Sequence, residues 1–147
     1  MHRSQSLGFA VKNLSNHIKR TMINFADRTE ADITGMQGWI IEYLVEKETE
    51  DVFQKDIEKE FNIRGPTATQ ILRLMEKKEL IVRRPDDDDA RQKKITLTAK
   101  ALSLLDTLDT EARRVEEQMR KGLSDGEVIL FLKTIDTMNR NFENGCL

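Results

Sequence analysis

The sequence predicts a mainly α-helical protein with one small β-hairpin and long helices at both ends of the chain. Three observations support this fold class. Apolar residues recur at three- and four-residue steps over most of the chain, which is the spacing of one helix face. Two short β-branched segments, LIVRR and KKITL, flank an aspartate-rich loop, as expected of a hairpin. Charged residues make up 34% and hydrophobic residues 38% of the 147 residues, which is typical of a globular, helix-rich domain.

The N-terminal region predicts a helix over residues 5–27. The apolar stripe of this helix consists of Leu7, Ala10, Val11, Leu14, Ile18, Met22 and Phe25. The first twenty residues contain no uninterrupted apolar run of the kind found in secretory signals. No 18-residue apolar run follows anywhere in the chain, so we expect no membrane span.

A second helix is predicted to begin at Thr34, which forms a capping box with Gln37, and to end near Glu48. The buried face expected for this helix consists of Met36, Trp39, Ile40, Tyr43 and Leu44. A third, short helix is expected over residues 53–61, with Asp51 as an alternative start because Phe53 is a poor cap.

The segment NIRGP predicts a tight turn, in which Gly65 frees the backbone and Pro66 suits the first turn of a fourth helix. This helix is expected to bury Ile71, Leu72 and Met75. The hairpin follows, with Pro85 and the four aspartates Asp86 to Asp89 predicted as its loop.

Two further helices complete the predicted order. Thr98 is expected to cap a helix that runs to about Lys121, with Leu102, Leu105 and Leu108 in its apolar stripe. Ser124 and Glu127 form a second capping box, which begins the last helix.

A short helix, a tight turn, a second helix and a charged hairpin together make a winged helix-turn-helix. The stretch DIEKEFNIRGPTATQILRLMEKKELIVRRPDDDDARQKKITLTAKA resembles the core signature of the MarR family of transcriptional regulators, and the resemblance covers essentially the whole chain. Its most specific part is the pair Asp89 and Arg91, set nine and seven residues before Thr98. Glu79 stands where the family usually has glycine, a change expected to cost under about 1 kcal/mol.

The pattern predicts that the helix beginning at Pro66 lies in the major groove of DNA. Its predicted contacts are Thr67, Ala68, Thr69, Gln70 and Arg73. Arg91 is expected to enter the minor groove, with Asp89 pairing with its guanidinium and limiting its rotamers. Candidate phosphate contacts are Arg64, Arg83, Arg84, Lys93 and Lys94. The alternative for the charged loop is a merely solvated hairpin tip.

The apolar stripes of the terminal helices predict a two-fold dimer, because the small winged core cannot cover them. We expect dimerisation helices in residues 1–30 and 99–147 around a DNA-binding lobe in residues 31–98, all in one integrated domain. Such a dimer predicts a palindromic operator whose half-sites lie about 34 Å apart. The resemblance further implies repression that a small aromatic or phenolic effector relieves, with His17, Trp39 and Tyr43 as candidate pocket residues.

Composition excludes several other functions. The net charge is -2, and the excess of basic over acidic residues within 55–94 is small, so the DNA-binding interpretation depends on pattern. Two histidines and the single Cys146 predict no metal site and no cofactor, and the lone thiol fits a reducing cytoplasm. We recognise no catalytic constellation and predict that the chain is not an enzyme. The main alternative is a winged-helix protein–protein adaptor without sequence-specific DNA binding.

Overall fold

The computed structural model of the chain describes residues 5–26 and 32–145, which contain seven helices and one two-stranded antiparallel sheet. Its elements are α1 (Leu7–Ala26), α2 (Gly35–Glu46), α3 (Gln54–Glu60), α4 (Gly65–Lys77), β1 (Ile81–Pro85), β2 (Lys93–Leu97), α5 (Ala99–Ser103), α6 (Leu105–Arg120) and α7 (Asp125–Asn144). The predicted fold class is confirmed. Cys146 and the side chain of Phe25 lie outside the described residues. No helix in the described ranges is both long enough and apolar enough to cross a membrane.

The chain divides into two compact units, Met1–Glu111 and Ala112–Leu147. The first unit contains a hydrophobic core to which α2, α3, α4, the hairpin, α5 and α6 all contribute. The buried apolar residues of this core are Ile33, Ile40, Ile41, Leu44, Val52, Ile57, Leu72, Met75, Leu80, Ile81, Ile95, Ala101 and Leu108.

The start of α2 agrees with the sequence-based prediction, but its buried face does not. Thr34 and Gln37 form the predicted capping box. Trp39, however, is 42% exposed, so its predicted burial is wrong. The core face of α2 is centred on Gln37, Ile41 and Leu44, and Trp39 points away from it by about half a turn. The buried polar Gln37 concealed the true phase of the apolar stripe.

The helix-turn-helix consists of α3, a short turn and α4. Phe53 is the N-cap of α3, and the Asp56 carboxylate accepts a hydrogen bond from its backbone N–H at 2.8 Å. The alternative start at Asp51 is therefore wrong. Asn62 takes a left-handed conformation in the turn, with φ of 48°, which asparagine tolerates well. Pro66 lies in the first turn of α4, as predicted.

The hairpin pairs Ile81 with Leu97 at its base and Pro85 with Lys93 at its tip. Pro85 is thus the last residue of β1, and its predicted assignment to the loop is wrong. A proline is tolerated there because it ends an edge strand, where no further ladder hydrogen bond requires its missing N–H. The backbone N–H of Ile95 donates to the carbonyl of Val52 at 2.8 Å, which ties β2 to the segment before α3.

The helix predicted from Thr98 is interrupted at Leu104, which separates α5 from α6. The backbone N–H of Leu104 donates to the carbonyl of Ala101, three residues back, in a turn tighter than the α-helix. Thr98 is the N-cap of α5, since its hydroxyl accepts from the N–H of Ala101 at 3.2 Å. The predicted cap is confirmed, and the predicted continuity is wrong.

The second unit contains the end of α6 and the whole of α7. Ser124 and Glu127 form the predicted capping box of α7. Within the described chain, no residue of α7 is buried, although the helix carries many apolar side chains. Its exposed large apolar residues are Ile129, Leu130, Phe131, Leu132 and Phe142.

Candidate nucleic-acid interface

Helix α4 presents three of its five predicted contact residues to solvent. Thr67, Gln70 and Arg73 are exposed. Gln70 and Arg73 are three positions apart and so lie on one side of the helix. Arg64, the N-cap, is exposed and its side chain makes no capping hydrogen bond, so it leaves backbone N–H groups in the first turn of α4 uncapped.

Ala68 is fully buried, so its predicted outward position is wrong. It lies four positions before Leu72 and seven before Met75, and the three form the inward stripe of α4. A small residue at this position lets α4 pack closely on the core. Ala68 therefore cannot contact a thymine methyl group without unpacking the helix.

Thr69 is partly buried, and α3 holds its hydroxyl group. The side-chain nitrogen of Gln54 lies 2.9 Å from Thr69 Oγ1, 2.9 Å from Glu58 Oε1 and 3.3 Å from the carbonyl oxygen of Gly65. Gln54 thus links the first turn of α3 to the first two turns of α4. Sequence reasoning missed this residue, because a glutamine fifteen positions before its partner leaves no local signal.

At the tip of the hairpin, Asp89 holds Arg91. Oδ1 of Asp89 accepts from the backbone N–H of Arg91 at 3.1 Å and from its Nε at 3.2 Å. The Arg91 side chain is 93% exposed, so it projects from the protein while its stem is fixed. The structure brings together the two residues that the sequence pairs, in the predicted stem-side arrangement.

Hydrogen bonds from Arg91 lower the pKa of Asp89. The hydrogen bond from the Arg91 backbone is the largest cause that lowers the pKa of Asp89, followed by the Arg91 side chain. The positive charge of Lys55, on α3, contributes in the same direction. The N–H of Asp89 donates to Asp86 Oδ2 at 3.3 Å, which helps to close the turn. The acidic run therefore shapes the hairpin tip.

Arg83 faces α4 instead of projecting into solvent. Its Nη2 donates to Glu76 Oε2 at 2.5 Å, and only 16% of its side chain is exposed. The hydrogen bond from Arg83 is the main reason that the pKa of Glu76 is lowered. Arg83 thus links the hairpin to α4, and little of its side chain is accessible to a phosphate.

The other basic residues of the hairpin differ in their availability. Arg84 and Lys93 are exposed. Lys94 lies opposite Arg84 in the ladder and pairs with Asp51, which raises the pKa of Lys94. Arg84 and Lys93 are thus more accessible to a phosphate than Lys94.

Lys78, the C-cap of α4, is a second residue that sequence reasoning missed. Its ammonium group donates to the backbone carbonyl of Asp32 and, at 3.2 Å, to Oε1 of Gln37. Gln37 Oε1 also accepts from the N–H of Thr34. The end of α4 is therefore hydrogen-bonded to the capping box that begins α2.

A cavity of about 570 Å³ lies between α1 and α2. Its wall is mostly apolar and includes Val11, Leu14, Ile18, Met22, Met36 and Trp39. Of the three predicted pocket residues, only Trp39 lies in this wall. His17 is exposed and contacts Arg20, whereas Tyr43 packs edge-on against Phe61 with ring centroids 5.9 Å apart. Desolvation by burial is the main cause that raises the pKa of Tyr43. His17 and Tyr43 therefore do not line this cavity.

Comparison with known proteins identifies the family. Residues 31–92, from just before α2 to the hairpin tip, match the MarR family. The transcription regulator MarR from Oenococcus oeni PSU-1 is 36% identical in sequence, with a TM-score of 0.74, and the match covers 92% of this chain and 99% of that one.

Two more solved structures are similar in fold. MepR from S. aureus, in a complex with DNA, is 26% identical with a TM-score of 0.84, and the match covers 92% of this chain and 98% of that one. A probable transcriptional regulator from Pseudomonas aeruginosa has a TM-score of 0.81 at 19% identity, over 93% of this chain and 99% of that one. These matches and the winged helix-turn-helix above show that the chain belongs to the MarR family of transcriptional regulators.

Proposed function

We propose that this chain is a homodimeric, sequence-specific DNA-binding protein. The observation that carries the proposal is the hairpin tip, where Asp89 fixes the stem of a fully projecting Arg91. Narrow minor grooves concentrate negative potential and attract an inserted arginine. Restricting the rotamers of Arg91 before binding lowers the entropic cost of that insertion. A merely solvated loop has no need of this arrangement.

In this proposal, α4 enters the major groove. Gln70 suits a bidentate contact with adenine, and Arg73 suits guanine or a phosphate. Thr67 and the free N–H groups of the first turn suit a phosphate oxygen. MepR, a relative with the same fold, has a structure in complex with DNA, which supports this mode of binding. We also propose a cytoplasmic location, since the similar regulators come from bacteria, where DNA lies in the cytoplasm.

The direct test is a gel-shift and footprinting experiment on the DNA that flanks the gene of this protein. We expect a protected, palindromic site whose affinity falls steeply as salt rises, because bound phosphates release counterions. Arg91→Ala should weaken binding at least tenfold. Arg140→Ala is the matched control, since Arg140 is an exposed arginine of α7 that also pairs with a nearby aspartate. Equal weakening by both variants, or none by Arg91→Ala, would contradict the proposal.

We propose dimerisation through α1 and the C-terminal helices, because their apolar side chains are exposed in the single chain. Phe131→Glu on the apolar stripe of α7 should produce monomers in sedimentation experiments. Lys133→Glu, on the opposite side of the same helix, should leave the dimer intact. A wild-type chain that sediments as a monomer at micromolar concentration would refute the dimer.

We further propose repression that a small aromatic or phenolic effector relieves, with the cavity between α1 and α2 as its site. The support is the apolar wall, to which Trp39 and two methionines contribute. A panel of small phenols and aromatic acids, added to the DNA complex, should include compounds that dissociate it. Leu14→Trp, which narrows the cavity, should abolish that response, whereas Ile129→Trp in the second unit should not.

A further inference from the structure

We propose that Gln54 is a positioning residue that fixes the Thr69 hydroxyl as a hydrogen-bond donor toward DNA. Thr69 would then select base atoms that accept a hydrogen bond. This inference rests on the proposed DNA binding and adds a chemical rule for one contact.

The orientation of the Gln54 amide follows from its neighbours. One end of that amide lies 2.9 Å from the Glu58 carboxylate and 3.3 Å from the carbonyl oxygen of Gly65. Both of these groups only accept hydrogen bonds, so the end that faces them must be the NH₂ group. The same NH₂ group lies 2.9 Å from Thr69 Oγ1. Thr69 must therefore accept at this contact.

This contact leaves the hydroxyl proton of Thr69 pointing away from Gln54. Other helical threonines, such as Thr110, Thr134 and Thr137, donate to the carbonyl four residues back. For Thr69 that carbonyl belongs to Gly65, which lies 3.3 Å from the Gln54 nitrogen and is the most distant of the three acceptors around its two protons. Across residues 5–26 and 32–145, no comparable bond is donated by the Thr69 hydroxyl to the protein. A hydroxyl has one proton, and here it remains for a ligand.

The base edges in the major groove present both hydrogen-bond acceptors and hydrogen-bond donors to the Thr69 hydroxyl. Guanine presents N7 and O6, adenine presents N7 and thymine presents O4 as acceptors. Cytosine presents only the N4 amino group, which is a donor. A threonine restricted to donating should therefore discriminate against cytosine at the base it faces. A threonine free to rotate could accept from cytosine, and the discrimination would disappear.

The experiment is a selection of binding sites from random double-stranded DNA, followed by affinity measurements on the selected sites. Thr69→Val keeps the shape of the side chain and removes the hydroxyl, whereas Thr69→Ser restores the hydroxyl. Gln54→Met removes the amide while keeping the length of the side chain. Thr96→Val is the matched control, because Thr96 is an exposed threonine of β2 that is not among the proposed DNA contacts.

We expect wild-type protein and Thr69→Ser to select against cytosine at one position in each half-site. Thr69→Val should lose about fivefold in affinity, the effect of about one hydrogen bond, and should lose that selection. Gln54→Met should retain most of the affinity but accept cytosine at the same position. Thr96→Val should keep the wild-type affinity and base preference. A fold readout, circular dichroism, is recorded for every variant.

The outcomes separate the two proposals. Suppose that the wild-type protein selects a site, and that Gln54→Met and Thr69→Val select the same bases as the wild-type protein. The role of the Gln54–Thr69 pair is then refuted, and the proposal of DNA binding stands. If Gln54→Met does not fold, the comparison of Thr69→Val with Thr69→Ser decides the question. If wild-type protein prefers no sequence, the proposed function and this inference both fail.

Discussion

Lys78 and Gln37 are forty-one positions apart in the chain, yet Lys78 Nζ donates to Oε1 of Gln37 at 3.2 Å. The contact joins the end of α4 to the first turn of α2. Gln37 is 2% exposed, so the hydrogen bonds of its side chain are made in a nearly dry environment. The same first turn of α2 contributes Gly35 and Met36 to the wall of the cavity. Lys78 therefore connects the helix proposed to read DNA with the cavity proposed to bind an effector.

Lys78→Met should lower the free energy of unfolding by about 1 kcal/mol, the net value of a typical hydrogen bond. The loss is limited because Gln37 Oε1 keeps its bond from the N–H of Thr34, and because Asp32, the other partner of Lys78, is exposed to water. Urea denaturation measures the change. Lys77→Met, at an exposed position one residue earlier, is the control and should stay within about 0.5 kcal/mol of wild type. Equal effects of the two variants would contradict a specific role for Lys78.

The ion pair between Glu76 and Arg83 predicts a dependence of stability on acid. The pKa of Glu76 lies below its ordinary value of 4.5 because Arg83 hydrogen-bonds its carboxylate. A lowered folded-state pKa contributes stability that is complete above the ordinary value and is lost as pH falls through the folded value. The free energy of unfolding, measured from pH 6 to pH 3, should fall less steeply for Glu76→Gln than for the wild-type protein. Glu60→Gln, at an exposed position on α3, is the control and should keep the wild-type slope.

Asp88 and Asp89 are adjacent carboxylates for which we predict opposite effects on DNA binding. Removal of either negative charge reduces repulsion of phosphate, and long-range electrostatics alone would strengthen binding in both variants. Asp89→Ala should nevertheless weaken operator binding several-fold, because Arg91 loses both hydrogen bonds to Oδ1. Asp88→Ala should bind as tightly as wild type or more tightly. Gel shifts at one salt concentration compare the two variants, and tighter binding by Asp89→Ala would refute its role.

Glu79→Gly should stabilise the protein by up to about 1 kcal/mol. Glu79 follows the end of α4 with φ of 59°, a left-handed conformation that costs free energy for a residue with a side chain. Its carbonyl accepts from Thr98 Oγ1 at 2.6 Å, a backbone interaction that glycine retains. Thermal unfolding measures the change. Glu79→Ala removes the carboxylate but keeps the strained backbone, so it should not raise the melting temperature.

Local chemistry made much of the fold predictable from sequence. The capping boxes at Thr34 and Ser124 and the cap at Thr98 involve residues three positions apart, so a short window contains the whole interaction. The pair of Asp89 and Arg91 is local for the same reason. The interruption at Leu104 was missed because no proline or glycine stands there. The prediction for Pro85 is wrong because a proline can be the last residue of an edge strand as well as the first residue of the loop that follows.

The errors at the candidate site have a different origin. The phase of an apolar stripe predicts burial of Trp39, and the buried Gln37 moves that phase by about half a turn. Ala68 is predicted to face outward although its spacing to Leu72 and Met75 is that of the inward face, because alanine alone is a weak signal of burial. Gln54, Lys78 and Arg83 act through partners that lie fifteen, forty-one and seven positions away, and their partners depend on tertiary packing. Residue type and spacing alone do not specify such contacts.

The half-exposed Trp39 gives this protein an intrinsic fluorescent probe. It is the single tryptophan of the chain, so the indole emission of the native protein comes from one known place. That place is the wall of the cavity, whereas the single tyrosine, Tyr43, packs elsewhere against Phe61. A compound that enters the cavity displaces water from the indole and shifts its fluorescence to shorter wavelength. Ligands can therefore be titrated on the unlabelled wild-type chain, and Trp39→Phe supplies the dark reference.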